Sequence, residues 1–320
     1  MNKTLDYFIA DPAGNTTILV VSPVNRTDYQ RIAQLLLEHH PEAEQVGYIV
    51  SPQSCLEPAP DAEEYNEVQK KAQEAAAAAA KAGLPRMEMC GLEFCGNASR
   101  AFGYYAALQQ DPPLEEIEIC VSGCDYPLHV WIDADNDFDR IGMPVPEGVE
   151  EISIPLKDGV GQVCGIAEET IEGRLVHMDG ISHLVITSVP SARARNADRV
   201  QMDALFRYLR DQVYRMVDRD MPAFGIMFYD PSDTLLTPIV YVRDVDTIYF
   251  EGSCASGSTA TAYAMAAGGS NKAGKNSETY ELRQPAGTLS VEVVRDGDKV
   301  TEVLLQGSIT VSPMEHYVVE

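Results

Sequence analysis

Two cysteines of the 320-residue chain stand in matching surroundings, Glu93-Phe94-Cys95-Gly96-Asn97-Ala98-Ser99 and Gly252-Ser253-Cys254-Ala255-Ser256-Gly257-Ser258. Each opens a run of small and then apolar residues, ASRAFGYYAALQQ in one case and GSTATAYAMAAG in the other, the pattern of a helix buried on most sides. Both cysteines are therefore read as sitting at helix N-termini. Such a terminus carries unsatisfied N–H groups and a partial positive charge, so it binds anions and lowers the pKa of a thiol placed there. Gly96, Ala255, Ser256 and Gly257 let a ligand approach the backbone closely. Two such termini facing one cavity would grip a carboxylate and hold a thiol on each side of the attached carbon. One thiol would remove a proton and the other deliver one, which is a two-base stereoinversion.

The other five cysteines, at 55, 90, 120, 124 and 164, do not share this setting. An odd total of seven in a chain this long argues against a disulfide framework. Cys90/Cys95 and Cys120/Cys124 form close pairs, but neither has C-x₂-C spacing or neighbouring histidines, so zinc is not expected. Cys55, Cys120 and Cys164 read as small buried hydrophobes, and Cys90 and Cys124, although near enough to line a cavity, are read as core too.

The elements that position these residues are mixed. Strands are expected over Thr17–Ser22, Gln45–Val50, Ile117–Ser122, Leu128–Ile132, Leu175–Met178, Leu184–Thr187, Ile226–Tyr229, Ile239–Val242 and Leu289–Val294. Helices are expected over 27–40, with Thr27 at the N-cap and a stop before Pro41, and over 198–218. A third, 61–82, is rich in Ala, Glu and Lys, closes at Gly83, and reads as a solvated surface helix without chemistry. Two strand-rich halves, each with helices, make an α+β protein of two domains, the number that the length also favours. The formal charge of −25 disfavours nucleic acid and anionic lipid as partners. No secretory-type leader or run of about 18 apolar residues is present, which gives the expectation of a soluble, cytoplasmic protein.

The two cysteine tracts, together with Asp11-Pro12-Ala13-Gly14-Asn15, resemble the diaminopimelate epimerase family, related to proline racemases. The likeness runs through nearly the whole chain. It looks closest to the histidine racemases that supply D-histidine for opine-type metallophores, through 12–20, 44–49, 93–98, Val121-Ser122-Gly123-Cys124 and Gln284-Pro285. The resemblance implies two pseudo-symmetric domains, each a mostly antiparallel sheet wrapped around a central helix. Their expected bounds are 1–125, to which a last strand at 308–320 returns, and 126–307, with the active site at the interface. It implies no pyridoxal phosphate, no other cofactor and no metal; a homodimer is allowed. Catalysis falls to Cys95 and Cys254. Backbone groups at Gly96, Asn97, Ala255 and Ser256 would hold the α-carboxylate, with Asn15, Gln45 and Glu251 around the amino group and side chain. Glu44 would contact the substrate in the histidine-racemase variant, and His183 matches a position near the cavity.

The departures from the epimerases are informative. Those enzymes carry Asn at the positions matched by Ile181 and Ala223 and Arg at the one matched by Gly252, groups that grip the second amino-acid head of diaminopimelate. Without them that head would be desolvated and unpartnered, at a cost of several kcal/mol. The Glu251-to-Cys254 interval is also shorter, as in the histidine racemases. A small amino acid with one such head, histidine first, is the expected substrate. The alternatives are diaminopimelate epimerase itself and a non-catalytic amino-acid-binding protein of the same fold.

Overall fold

A computed structural model describes residues 3–51, 65–156, 166, 169–268 and 276–319. Cys55, Cys164 and the start of the helix expected at 61–82 lie outside the described residues. By contacts the chain divides into Met1–Gly142 with Gln306–Glu320, and Met143–Leu305. The division falls at Gly142, later than the boundary at residue 125 drawn from the sequence, because the hairpin that follows residue 125 pairs with the strand before it.

In the first unit, β1 (Lys3–Asp11) pairs antiparallel with β2 (Thr17–Val20), and α1 (Tyr29–His39) carries the chain to β3 (Gln45–Val50), which lies parallel to β2. After α2 (Glu67–Ala82), β4 (Arg86–Met89) returns antiparallel to β3. The central helix α3 (Gly96–Leu108) then crosses to β5 (Glu116–Val121), parallel to β4, and β6 (Leu128–Asp133) and β7 (Phe138–Met143) follow as antiparallel strands.

The second unit repeats that order. β8 (Gly148–Pro155), β9 (Thr170–Met178) and β10 (Ile181–Ile186) run antiparallel, and α4 (Ser191–Asn196) and α5 (Arg199–Met216) cross to β11 (Ala223–Asp230), parallel to β10. β12 (Leu235–Val242) and β13 (Thr247–Phe250) follow antiparallel. The central helix α6 (Ala255–Gly268) leads to β14 (Ser277–Arg283), parallel to β12, and then to β15 (Thr288–Asp296) and β16 (Lys299–Ser308). β17 (Thr310–Val311) and β18 (Glu315–Val319) pair antiparallel with β1. The protein is α+β, and in each unit a small-residue helix crosses between two parallel neighbouring strands.

The two central helices earn their burial from composition. In α3 every residue except Tyr105 and Leu108 is buried. Gly103 permits the close approach, since a Cβ there would lie 2.6–2.9 Å from the Val130 side chain on β6. The one charged residue of α3, Arg100, is fully buried and pairs with the equally buried Asp139 of β7 at 2.5 Å, while it also donates to the Ser308 carbonyl at 3.2 Å. α6 has no charged residue and is buried with alanines and threonines.

Two helix expectations are corrected. Thr27 is not the N-cap of α1: residues 26–28 tighten into a 3₁₀ turn, and Asp28 precedes the helix with its carboxylate turned to Arg31 rather than to the backbone. The cause is Arg26, drawn inward to a bidentate pair with the buried Glu88 of β4 at 2.8 Å through each nitrogen. The surface helix begins at Glu67 behind an Asn66–Gln69 capping box and ends on Gly83 in the left-handed region at φ 72°. It is not wholly solvated: Ala72, Ala76 and Ala79 are buried, and Gln73 accepts from Arg26. No described helix is long and apolar enough to cross a membrane.

Candidate active site

The first unit offers a polar cluster beside the β1–β2 turn. Ala13 and Gly14 both take positive φ, 62° and 87°, and the Asp11 carboxylate receives the Gly14 N–H at 2.5 Å. This turn delivers Asn15, which is 8 % exposed. Asn15 Nδ2 donates to Glu44 Oε2 at 2.5 Å, and Gln45 Nε2 donates to Asn15 Oδ1 at 2.7 Å and to Thr17 Oγ1 at 2.8 Å. Thus Asn15, Glu44 and Gln45, chosen from separate tracts, are brought together because β2 and β3 are parallel neighbours in which Thr17 faces Gln45. Glu44 is exposed.

Cys95 is the N-cap of α3, in extended backbone at φ −133°, and its sulfur accepts the Ala98 N–H at 3.5 Å. The Ser99 hydroxyl donates to the Cys95 carbonyl at 2.7 Å. Gly96 and Asn97, the first two residues of the helix, are buried. The preceding loop is held by Ser122, whose Oγ accepts the Met89 N–H at 2.9 Å and donates to the Glu93 carbonyl at 2.7 Å. Gly123, at φ +68°, lies against that loop, where a Cβ would stand 2.3 Å from the Phe94 nitrogen.

Cys254 stands immediately before α6 in the same way. Its sulfur accepts the Gly257 N–H at 3.3 Å, and the Ser258 hydroxyl donates to its carbonyl at 2.6 Å. Ser256 Oγ is 3.6 Å from the Cys254 sulfur and 3.0 Å from His183 Nε2. His183 is fully buried on β10, and burial holds its pKa down at about 3, so it is neutral. Gly225 makes room for that ring, since a Cβ there would lie 2.1 Å from His183 Nδ1.

The thiol of Cys254 corrects one expectation. A helix N-terminus was expected to lower its pKa, and the Ser256 and Gly257 hydrogen bonds do act in that direction. Burial outweighs them, and the neighbouring Glu251 carboxylate, which hydrogen-bonds the thiol, adds to the rise, so Cys254 sits well above the ordinary thiol range. Glu251, expected near the substrate amino group, is therefore also the partner of this sulfur.

The remaining described cysteines, Cys90, Cys120 and Cys124, are half-buried rather than deep core. Burial is the largest cause of the rise in the Cys90 pKa to about 11 and of the upward shift of Cys120. What the residue pattern missed is the support around the two cysteines. Ser99 and Ser258, four residues on in each tract, were a visible sign of it, and the roles of Ser122 and Gln284 depend on strands far away in the chain.

A family model described as the histidine racemase CntK N-terminal domain matches residues 68–315. A histidine racemase of Fusobacterium nucleatum subsp. nucleatum is 27% identical over 318 residues, 96% of this chain and 97% of that protein. Another from Staphylococcus aureus is 25% identical over 316 residues, 97% of this chain and 96% of that protein. Among solved structures, a hydroxyproline epimerase from Agrobacterium vitis, with bound trans-4-hydroxy-L-proline, matches with a TM-score of 0.57 at 11% identity, covering 99% of this chain and 93% of that one. Its fold is the one described above. Matched by the family model over most of its length, the chain belongs to the histidine racemase family and is an isomerase.

Proposed function

We propose that the protein racemises free histidine by moving the α-proton between Cys95 and Cys254, without a cofactor. The observation that carries this reading is the duplicated helix start. In each unit a cysteine at the N-cap holds an N–H of the first turn on its sulfur, and a serine four residues on holds its carbonyl. The α-carboxylate would take the backbone donors at Gly96, Asn97, Ala255 and Ser256, which also stabilise the charge that grows on it as the α-proton leaves.

The thiols divide the work by direction. For one enantiomer the Cys95 thiolate takes the α-proton and the Cys254 thiol delivers its own to the opposite face; for the other the roles exchange. Cys254, raised by burial, is a ready donor in its resting form. When it must act as base, the Glu251 carboxylate is in place to receive its proton first. Asn15, Glu44 and Gln45 supply a connected set of amide and carboxylate groups suited to an ammonium and an imidazole.

The choice of a substrate with one amino-acid head is supported by Ile181 and Ala223, which face each other at the starts of the parallel strands β10 and β11 and offer no side-chain donor. The test is α-proton exchange in D₂O with L-histidine, D-histidine and diaminopimelate, followed by NMR. Histidine is expected to lose its α-proton from either enantiomer, with kcat/KM at least ~10-fold above diaminopimelate, equivalent to about 1.4 kcal/mol. Preference for diaminopimelate would restore the epimerase reading, and binding of histidine without exchange would mean a non-catalytic protein.

A further inference from the structure

The Cys254 backbone is enclosed by a hydrogen-bonded ring whose other member comes from the β14–β15 turn, 30 residues later in the chain. Gln284 Oε1 accepts the Cys254 N–H at 2.8 Å. Gln284 Nε2 donates to Ser258 Oγ at 3.1 Å and to Ser253 Oγ at 3.3 Å. Ser258 Oγ in turn donates to the Cys254 carbonyl at 2.6 Å, which closes the ring on the same residue. Gln284 is 6 % exposed, and its turn is pinned to the same segment by the Ala286 N–H donating to the Gly252 carbonyl at 2.9 Å.

The reason for so distant a partner lies in the helix start. In a capping box the N-cap side chain accepts the N3 N–H, and the N3 side chain reaches back to the N-cap N–H. Cys254 and Gly257 make the first half of that exchange. The second half is not available from position 257, which is a glycine and has no side chain to reach back; a Cβ there would lie 2.3 Å from Met227 Sδ and 3.0 Å from the Cys254 sulfur. A buried N–H left without an acceptor is costly, so the missing acceptor has to come from elsewhere.

We infer that Gln284 is a positioning residue for catalysis, completing the cap of α6 from the β14–β15 turn and so setting the direction in which Cys254 presents its thiol. Both polar backbone groups of Cys254 are held, so its dihedral angles, and with them the path from backbone to sulfur, cannot drift. Glutamine suits the place because one amide supplies the acceptor for Cys254 and the two donors for the flanking serines. This inference rests on the two-thiol reading for the task of Cys254.

The experiment compares Gln284→Glu, which keeps the acceptor and loses the donors, with Gln284→Leu, which loses both. Steady-state kinetics are measured in both directions, with folding followed by circular dichroism. In parallel, iodoacetamide labelling of Cys254 and Cys95 is read separately by mass spectrometry across pH. Expected are kcat values falling in the order wild type, Gln284→Glu, Gln284→Leu, with a loss of at least ~10-fold at the end of the series and KM within ~3-fold. The labelling profile of Cys254 is expected to change in both variants, moving to higher pH in Gln284→Glu because a negative charge is added beside a thiol, while that of Cys95 stays. Folded variants with wild-type kcat, or with equal changes at both cysteines, overturn the inference; if Gln284→Leu does not fold, Gln284→Glu alone decides it. The labelling arm reads the thiol directly, so it stands apart from any failure of the two-thiol reading, which would show as turnover surviving loss of Cys254.

Discussion

The starts of α3 and α6 have the same local design and different surroundings. At both, a cysteine sulfur accepts the N–H three residues on, and a serine hydroxyl fills the cysteine carbonyl. Cys95 is half-buried, whereas Cys254 is 5 % exposed and lies against the carboxylate of Glu251. Helix α3 is tied to its sheet by a buried ion pair, Arg100–Asp139, and α6 by hydroxyls and the Gln284 amide. A local motif therefore sets where a thiol stands, while desolvation and nearby charge, which the motif does not control, set its protonation.

The largest effect that tests this comparison is loss of either thiol. A serine keeps the size and a proton but its hydroxyl is far too weak an acid to form the anionic base that a thiolate provides, and general acid–base groups of this kind contribute about 10²–10⁴-fold. Cys95→Ser and Cys254→Ser are each expected to stop racemisation in both directions. Each keeps one competent thiol, so α-proton exchange should survive for one enantiomer only, and for opposite enantiomers in the two variants. Near wild-type racemisation by either variant, or the same surviving enantiomer in both, breaks the pairing.

The second test addresses how the two helices are held. Asp139→Ala leaves Arg100 charged and buried without its carboxylate, a change that costs about 3–5 kcal/mol when a buried pair loses one member. Urea denaturation should show this as a lower midpoint. Ser258→Ala, which removes a neutral hydroxyl from the ring at α6, should cost only about 1 kcal/mol. Equal losses would mean that the ion pair contributes no more than the hydroxyl.

The smallest effect sharpens the electrostatic difference. Glu251 raises the Cys254 pKa by charge and by hydrogen bonding; Glu251→Gln removes the charge and leaves only a neutral amide oxygen as acceptor, which moves the thiol's titration to lower pH. Cys254 should then be alkylated faster at a given neutral pH, while Cys95 keeps its profile. Turnover should nevertheless fall, by roughly 10²-fold at the low end of general-base contributions, because the proton acceptor for Cys254 is lost. An upward shift in the alkylation profile would reverse the assigned role of the carboxylate.

Much of this was legible in one dimension. The paired cysteine tracts and the small-residue helices behind them are local patterns, and helix caps are decided by residues within a few positions of each other. The Gln45–Val50 strand appears with the bounds its β-branched and aromatic content suggested. Less legible were the short strand Arg86–Met89, whose two charged residues hid it, and the cap at Thr27, displaced when Arg26 turned inward to Glu88. Those outcomes depend on a buried charge cluster between residues 62 positions apart.

The sequence by itself determined which two thiols stand at helix starts and the mixed strand-and-helix order of each half, because propensity, capping chemistry and hydrophobic period act over single turns. Only the tertiary structure decided that Cys254 is desolvated beside Glu251, that Asn15, Glu44 and Gln45 meet across parallel strands, and that Gln284 completes a cap from another element. Burial and through-space charge depend on what packs around a group from distant segments, and no local pattern states that.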